Sequence, residues 1–194
     1  MRSVYGFVIK PKGERYKNTS KVGDKELITN TEVYSYQHVN KEAIIVSCPM
    51  VGSDLDLLPG DTVIVHHNVF RRWHDVKGRE RNSNNFFNEE TYVIHADQMF
   101  LKKSNNKWEC FKGYCFINPI KETDAYSTEL EKPNVGVVKY SDGTVNTGDV
   151  IGYRPKTNSE FVFEGKRLYR VLSNLITIKY EYQGDEEEYN PSWT

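Results

Sequence analysis

What most constrains this chain is that it carries one pattern twice. Gly60-Asp61-Thr62-Val63-Ile64-Val65 returns as Gly148-Asp149-Val150-Ile151-Gly152-Tyr153, 88 residues later. Beyond each copy, Tyr92-Val93-Ile94-His95 through Met99-Phe100-Leu101-Lys102 aligns with Tyr169-Arg170-Val171-Leu172 through Ile176-Thr177-Ile178-Lys179 at a constant offset of 77. Ahead of each copy stands a tyrosine-led apolar stretch, Tyr5-Gly6-Phe7-Val8-Ile9 and Tyr114-Cys115-Phe116-Ile117. A Gly-Asp pair alone marks any tight turn. Three matched segments in one order predict a duplication, and 194 residues hold two such units.

The segments between turns read as strands. Val4–Lys10 is closed by Pro11 and Gly13, and Glu42-Ala43-Ile44-Ile45-Val46-Ser47 is a β-branched run of strand length. Val135–Tyr140 is its counterpart, and the opening strand of the second half ends at Pro119. Only Ala96-Asp97-Gln98 and Ser173-Asn174 look like single helical turns. The fold class expected is therefore all-β, as two tandem small barrels. The first spans residues 1–104, with a long polar loop at 12–36 and a basic insertion at 68–88. The second spans 105–183, after a linker at Lys103–Lys107, and residues 184–194 form an acidic, loose tail.

A formal net charge of −1 gives no global attraction to nucleic acid or anionic lipid. No apolar run approaches the ~20 residues that cross a bilayer, and Met1-Arg2-Ser3-Val4-Tyr5-Gly6 enters a strand pattern without a signal-peptide core. Cys48, Cys110 and Cys115 are an odd number and read as reduced thiols. The expected location is the cytoplasm, that of a host if the chain is viral, or a virion.

An apolar first strand, a long polar loop, a strand like Glu42–Ser47, then Gly60-Asp61-Thr62-Val63 and a closing strand-turn-strand at Tyr92–Leu101 resemble the GroES co-chaperonins. The copy at Val145-Asn146-Thr147-Gly148-Asp149-Val150-Ile151 and Tyr169–Ile176 is similar as well, and the two copies cover about four-fifths of the chain. The Asn-, Lys- and Tyr-rich vocabulary resembles a phage-encoded member. The resemblance implies two fused GroES-like barrels, a homo-oligomeric ring and a chaperonin partner, with no cofactor and no catalytic residue in this chain. It implies docking through the loop between the first two strands, at Glu26, Leu27, Ile28 and Thr29, with Tyr126 and Leu130 in the second loop. Independently, a polar loop with a short apolar knob folds onto a groove weakly and reversibly, and a ring of such loops regains affinity through effective concentration.

Other constellations are weighed against plainer roles. Arg71, Arg72, Trp73, Lys77, Arg79 and Arg81, followed by Phe86-Phe87, form the local basic cluster. This is either a solvated hairpin whose charges are matched by Asp75, Glu80, Glu89 and Glu90, or a contact for capsid or tail proteins, or for nucleic acid. His66 and His67, read as neighbours on one strand, point to opposite faces and cannot share a metal ion. No dinucleotide fingerprint, Walker loop, nucleophile elbow or His-Glu-x-x-His helix occurs. The alternative to a co-chaperonin is a virion structural protein that uses the same barrels to bind capsid or tail subunits.

Overall fold

The computed structural model describes all residues except 1, 17–18, 23–24, 29–37, 53, 89, 182–185 and 191–194, with backbone only at 19–22 and 25–28. It is nearly all β, with no α-helix among the described residues, and divides into two compact units, Met1–Asn105 and Asn106–Thr194.

The first unit contains β1 (Phe7–Pro11), β2 (Thr19–Val22), β3 (Lys25–Ile28), β4 (Glu42–Ser47) and β5 (Thr62–Val65). It continues with β6 (Arg72–His74), β7 (Glu80–Asn82), β8 (Phe86–Asn88), β9 (Thr91–Ile94) and β10 (Met99–Ser104). The second contains β11 (Lys107–Cys110), β12 (Tyr114–Lys121), β13 (Glu131–Ser141), β14 (Val150–Tyr153), β15 (Ser159–Phe163), β16 (Lys166–Leu172) and β17 (Ile176–Tyr180). Within the first unit the main sheet runs β8-β9-β1-β4-β5-β10, and in the second β15-β16-β12-β13-β14-β17. These are the same order, strand for strand. All their pairings are antiparallel, and neither sheet closes on itself among the described residues.

The equivalence holds to the residue. Ile9 lies opposite Ile45 and Tyr92, and Ile117 lies opposite Val138 and Tyr169. A register irregularity falls between Val8 and Ile9 and again between Phe116 and Ile117. Pro11 faces Ala43, and Pro119 faces Gly136. The repeated Gly-Asp pairs make one turn twice: Gly60 and Gly148 have φ of 99° and 92°, the left-handed region open to glycine. The Gly60 and Gly148 N–H groups donate to the Ile45 and Val138 carbonyls, each at 2.8 Å. Asp61 Oδ2 accepts the Leu58 N–H at 2.8 Å, and Asp149 Oδ2 accepts the Asn146 N–H at 2.9 Å. Short 3-10 turns sit at Ala96–Gln98 and Ser173–Leu175.

Each unit has its own core. The first buries Phe7, Ile9, Ile45, Ile64, Phe70, Tyr92, Ile94, Met99 and Leu101, with Phe70 and Phe86 edge-on to Tyr92 at 4.8 and 5.6 Å. The second packs Cys115, Ile117, Val138, Ile151, Tyr153, Tyr169 and Val171. Asp142 ties its turns together, accepting hydrogen bonds from Gly113 N (2.7 Å), Ser173 Oγ (2.9 Å) and Thr144 N (3.0 Å).

Four expectations are corrected. Lys12–Tyr36 is not one featureless loop: Tyr16 is buried and bridges Val39, and β2 pairs with β3. Lys103, Ser104 and Lys107 belong to strands rather than a linker, with Asn105 and Asn106 both left-handed between them. Strand β12 does not end at Pro119. It runs to Lys121, because the proline turns its missing N–H away from β13, toward the flank where its carbonyl accepts the Tyr189 N–H. The acidic tail is not loose over Glu186–Asn190. Glu188 bridges Ile120, Glu187 pairs with Lys121 at 3.1 Å, and Glu188 with Lys166 at 3.1 Å. Two backbone hydrogen bonds hold the segment on a strand end, so its charges are matched rather than repelled.

Candidate functional site

In both units the connection between the first and second strand of the duplicated order leaves the sheet: β1 to β4 in the first, β12 to β13 in the second. The first excursion rises from a rigid neck. Asn40, 2 % exposed, donates through Nδ2 to the Lys12 and Glu14 carbonyls at 3.0 and 2.9 Å and accepts the Glu42 N–H at 2.9 Å. The Arg15 guanidinium donates to the Phe70 carbonyl and to Asn82 Oδ1, both at 3.0 Å, and lies over the Tyr92 ring. Burial lowers its pKa from the ordinary arginine value. Arg72 lies over Tyr16, whose hydroxyl accepts the Arg72 N–H at 2.7 Å.

Beyond this neck β2 and β3 form a two-stranded sheet of their own, hydrogen-bonded to neither main sheet among the described residues, with Ser20 opposite Leu27 and Thr19 opposite Ile28. Glu26, Leu27 and Ile28 therefore sit on its second strand, while Thr29 lies outside the described residues. An isolated two-stranded hairpin is marginal in water, so such an element gains stability from whatever it packs on.

The second excursion is short and closed by its own side chains. Glu122 Oε1 accepts the Thr123 and Asp124 N–H groups, Asp124 Oδ1 accepts that of Tyr126, and the Glu122 N–H donates to the Leu130 carbonyl. The turn presents Tyr126, 96 % exposed, and Leu130, 67 % exposed. These bonds hold the main chain of the turn, so covering Tyr126 and Leu130 orders their side chains but little further backbone.

The basic cluster forms the hairpin β6–β7, anchored by Arg15 to Asn82 and by Ser83 Oγ to the Val69 carbonyl. Within it Arg72 pairs with Glu80 at 3.3 Å and Arg81 with Asp75 at 3.1 Å. Asp75 also accepts the Lys77 and Arg79 N–H groups, and these bonds, that from Arg79 first, hold its carboxyl below the usual range. Among the described residues Lys77 and Arg79 have no ion pair, Arg71 is half-buried, and Trp73 and Val76 are exposed. Among the described residues the second unit has no equivalent hairpin, although β8 has its counterpart in β15.

His66 and His67 do not face apart. Strand β5 ends at Val65, and in the turn that follows the two rings lie 4.2 Å apart. Among the described residues no group of three His, Cys, Asp or Glu side chains is placed to hold a metal. The three cysteines are free; burial pushes the Cys115 thiol up to about 12 and Cys110 higher still, while Cys48 donates to the Leu57 carbonyl at 3.1 Å. Because the thiolate is the reactive form, iodoacetamide at neutral pH is expected to label the half-buried Cys48 first and the buried Cys115 only on unfolding. Mass spectrometry of the native protein finding Cys115 alkylated as fast as Cys48 contradicts that burial.

The features that sequence reasoning missed are the Asn40 neck and the docked tail. The only signal for the first was a lone asparagine before Glu42, and for the second the alternation of Glu188, Tyr189 and Asn190. The chain matches no family model and no curated protein.

Proposed function

We propose that the chain is a non-catalytic capping protein, a tandem GroES-like co-chaperonin. It docks on a chaperonin ring through the excursions between the first and second strands of its two units. The observation that carries this reading is the duplicated strand order with an excursion at the same place in each copy. Leu27-Ile28 on the β2–β3 sheet serves as the apolar knob of the first, and Tyr126 with Leu130 as that of the second. Each contact is weak because ordering opposes it, and the ring multiplies it. Nucleotide is consumed by the partner.

Mixing the protein with a bacterial chaperonin and ATP is expected to give co-elution on gel filtration. Leu27→Asp is expected to lower that association at least tenfold with unchanged thermal unfolding, since a charge in an apolar groove costs over about 1.4 kcal/mol per contact. Co-elution that survives this change, or never occurs, overturns the docking role. The basic hairpin, present only in the first unit, favours a second reading as a virion structural protein binding capsid or tail subunits. Fixed copy number in purified particles without chaperonin association supports that one instead.

A further inference from the structure

Strand β17 turns its apolar side away from its own core. Ile178 and Tyr180 lie opposite Gly152 and Val150 of β14, which lie in turn opposite Val135 and Val137 of β13. The core of the unit is built from the alternate residues, Val138 and Ile151, so these residues share the other face of the sheet. The position between the two apolar side chains, opposite Ile151, is Lys179. On the outer face Ile178 is 51 % and Tyr180 41 % exposed, with Val135 and Val137 half-buried. A Cβ built on Gly152 meets the Tyr180 ring at 3.3 Å, so the ring lies across the glycine.

The first unit treats the same positions differently. The equivalents of Val135, Gly152 and Ile178 are Glu42, Ile64 and Leu101, again opposite one another. Glu42 is paired with Lys12 at 3.2 Å, and Ile64 and Leu101 are fully buried. This side of the sheet is therefore covered in one unit and, among the described residues, open in the other. On the open face Tyr180, Val135, Val150 and Ile120 line a groove of about 420 Å³. Lys132 borders it beside β13 and Glu181 just past β17, neither with an ion pair among the described residues.

An apolar strip with a cation on one side and a carboxylate on the other complements itself. A two-fold axis in the plane of contact, parallel to the strands, sets the β13 side of one copy over the β17 side of the other and brings Lys132 to Glu181 twice. A net charge of −1 opposes such pairing little. We infer that the outer face of β13, β14 and β17 is a two-fold interface between copies of this chain. In it Ile178 and Tyr180 pack on Val135 and Val137 of the other copy, and Lys132 pairs with Glu181 across the rim. A two-fold contact closes at two copies, unlike a ring contact, and it needs no chaperonin, so it stands or falls apart from chaperonin docking.

The test is sedimentation velocity of the full chain alone, in a concentration series up to about 1 mM. A monomer–dimer equilibrium is expected. Ile178→Lys is expected to raise its dissociation constant about tenfold or more, because a charge is then buried twice. Leu172→Lys, at a residue 42 % exposed on β16 and outside the patch, is expected to leave it unchanged. Lys132→Glu and Glu181→Lys are each expected to weaken the dimer about fivefold, and the two together to restore it. Circular dichroism verifies that each variant folds. A chain that stays monomeric throughout overturns the inference. So does association that Ile178→Lys leaves intact or that Leu172→Lys weakens equally, and so does a double charge reversal no tighter than either single one.

Discussion

Arg167→Ala is expected to lower the stability of the second unit by about 3 kcal/mol, the low end of what removing one partner of a buried ion pair costs. Arg167 is 13 % exposed and is gripped from three strands. Its Nη1 donates to Glu131 Oε2 at 2.6 Å and its Nε to Glu160 Oε2 at 3.1 Å. Its Nη2 reaches the Tyr169 hydroxyl, which donates in turn to Glu131 Oε1. Tyr169 is two residues along the same strand and so on the same face, and the guanidinium stacks 4.7 Å over its ring. Desolvation opposes the arginine's charge, but Glu131 and Glu160 outweigh it and raise its pKa. Burial pushes the Tyr169 hydroxyl up, with Glu131 adding to it. Without the guanidinium, two carboxylates about a quarter exposed face each other with only a phenol to serve them. That residual exposure places the cost at the low end of the range. Arg167→Met restores bulk but not the loss, whereas Arg167→Met with Glu131→Gln and Glu160→Gln recovers most of it. Urea unfolding followed by tryptophan emission measures the series, and an Arg167→Ala midpoint within error of the parent removes the network from the account of stability.

How far the sequence announced this arrangement depends on the range over which each contact acts. Strand β4 was legible to the residue, because the β-branched run Ile44-Ile45-Val46 between two small residues leaves little else to form. The Gly-Asp turns were legible because their determinants lie within four residues: a left-handed glycine and a carboxylate three positions from the amide it caps. The neck was not legible. Asn40 meets Lys12 and Glu14 across an excursion of more than twenty residues, and Tyr16 meets Arg72 across more than fifty. No periodicity encodes such pairings. The tail misled for a different reason. A run of glutamates is usually solvated, but here Lys121 and Lys166 wait at the end of β12 and β16. The histidine pair misleads because β5 ends at Val65, and strand alternation does not reach His66 and His67.

The candidate loops were legible as places and not as shapes. Tyr126 and Leu130 enter through the family resemblance, as the second loop's counterpart of Leu27-Ile28, and both side chains are exposed. What holds them out, the stacked acceptors of Glu122 and Asp124, is side-chain chemistry that composition does not rank. The basic cluster is legible as a charge-matched hairpin or a contact. The hairpin has internal pairs at Arg72 and Arg81 and leaves Lys77 and Arg79 without an ion pair among the described residues.

Gly136→Val is expected to cost about 3 kcal/mol, the upper end for overpacking a filled site, and to release the tail. Gly136 lies opposite Pro119, and a Cβ built on it meets the Asn118 carbonyl oxygen at 2.5 Å and Ile117 Cδ1 at 3.2 Å. The nearest obstacle is backbone, so no rotamer relieves it, and β12 and β13 must separate. Its φ is not left-handed, so the constraint is space rather than conformation. The first unit supplies the internal control. Ala43, the equivalent residue opposite Pro11, carries a Cβ and is fully buried. Ala43→Gly is expected to cost only about 1 kcal/mol, the ordinary penalty of glycine in a strand. In the second unit the Asn118 side chain also donates to Glu188 Oε1 at 2.7 Å. Displacing that strand in Gly136→Val therefore also breaks the Asn118–Glu188 and Lys121–Glu187 contacts. Amide exchange at Lys121 and Tyr189 should accelerate together with the loss of stability. A Gly136→Val protein that unfolds at the parent's urea midpoint, with both amides still protected, shows instead that the two strands accommodate the side chain and that the glycine has another cause.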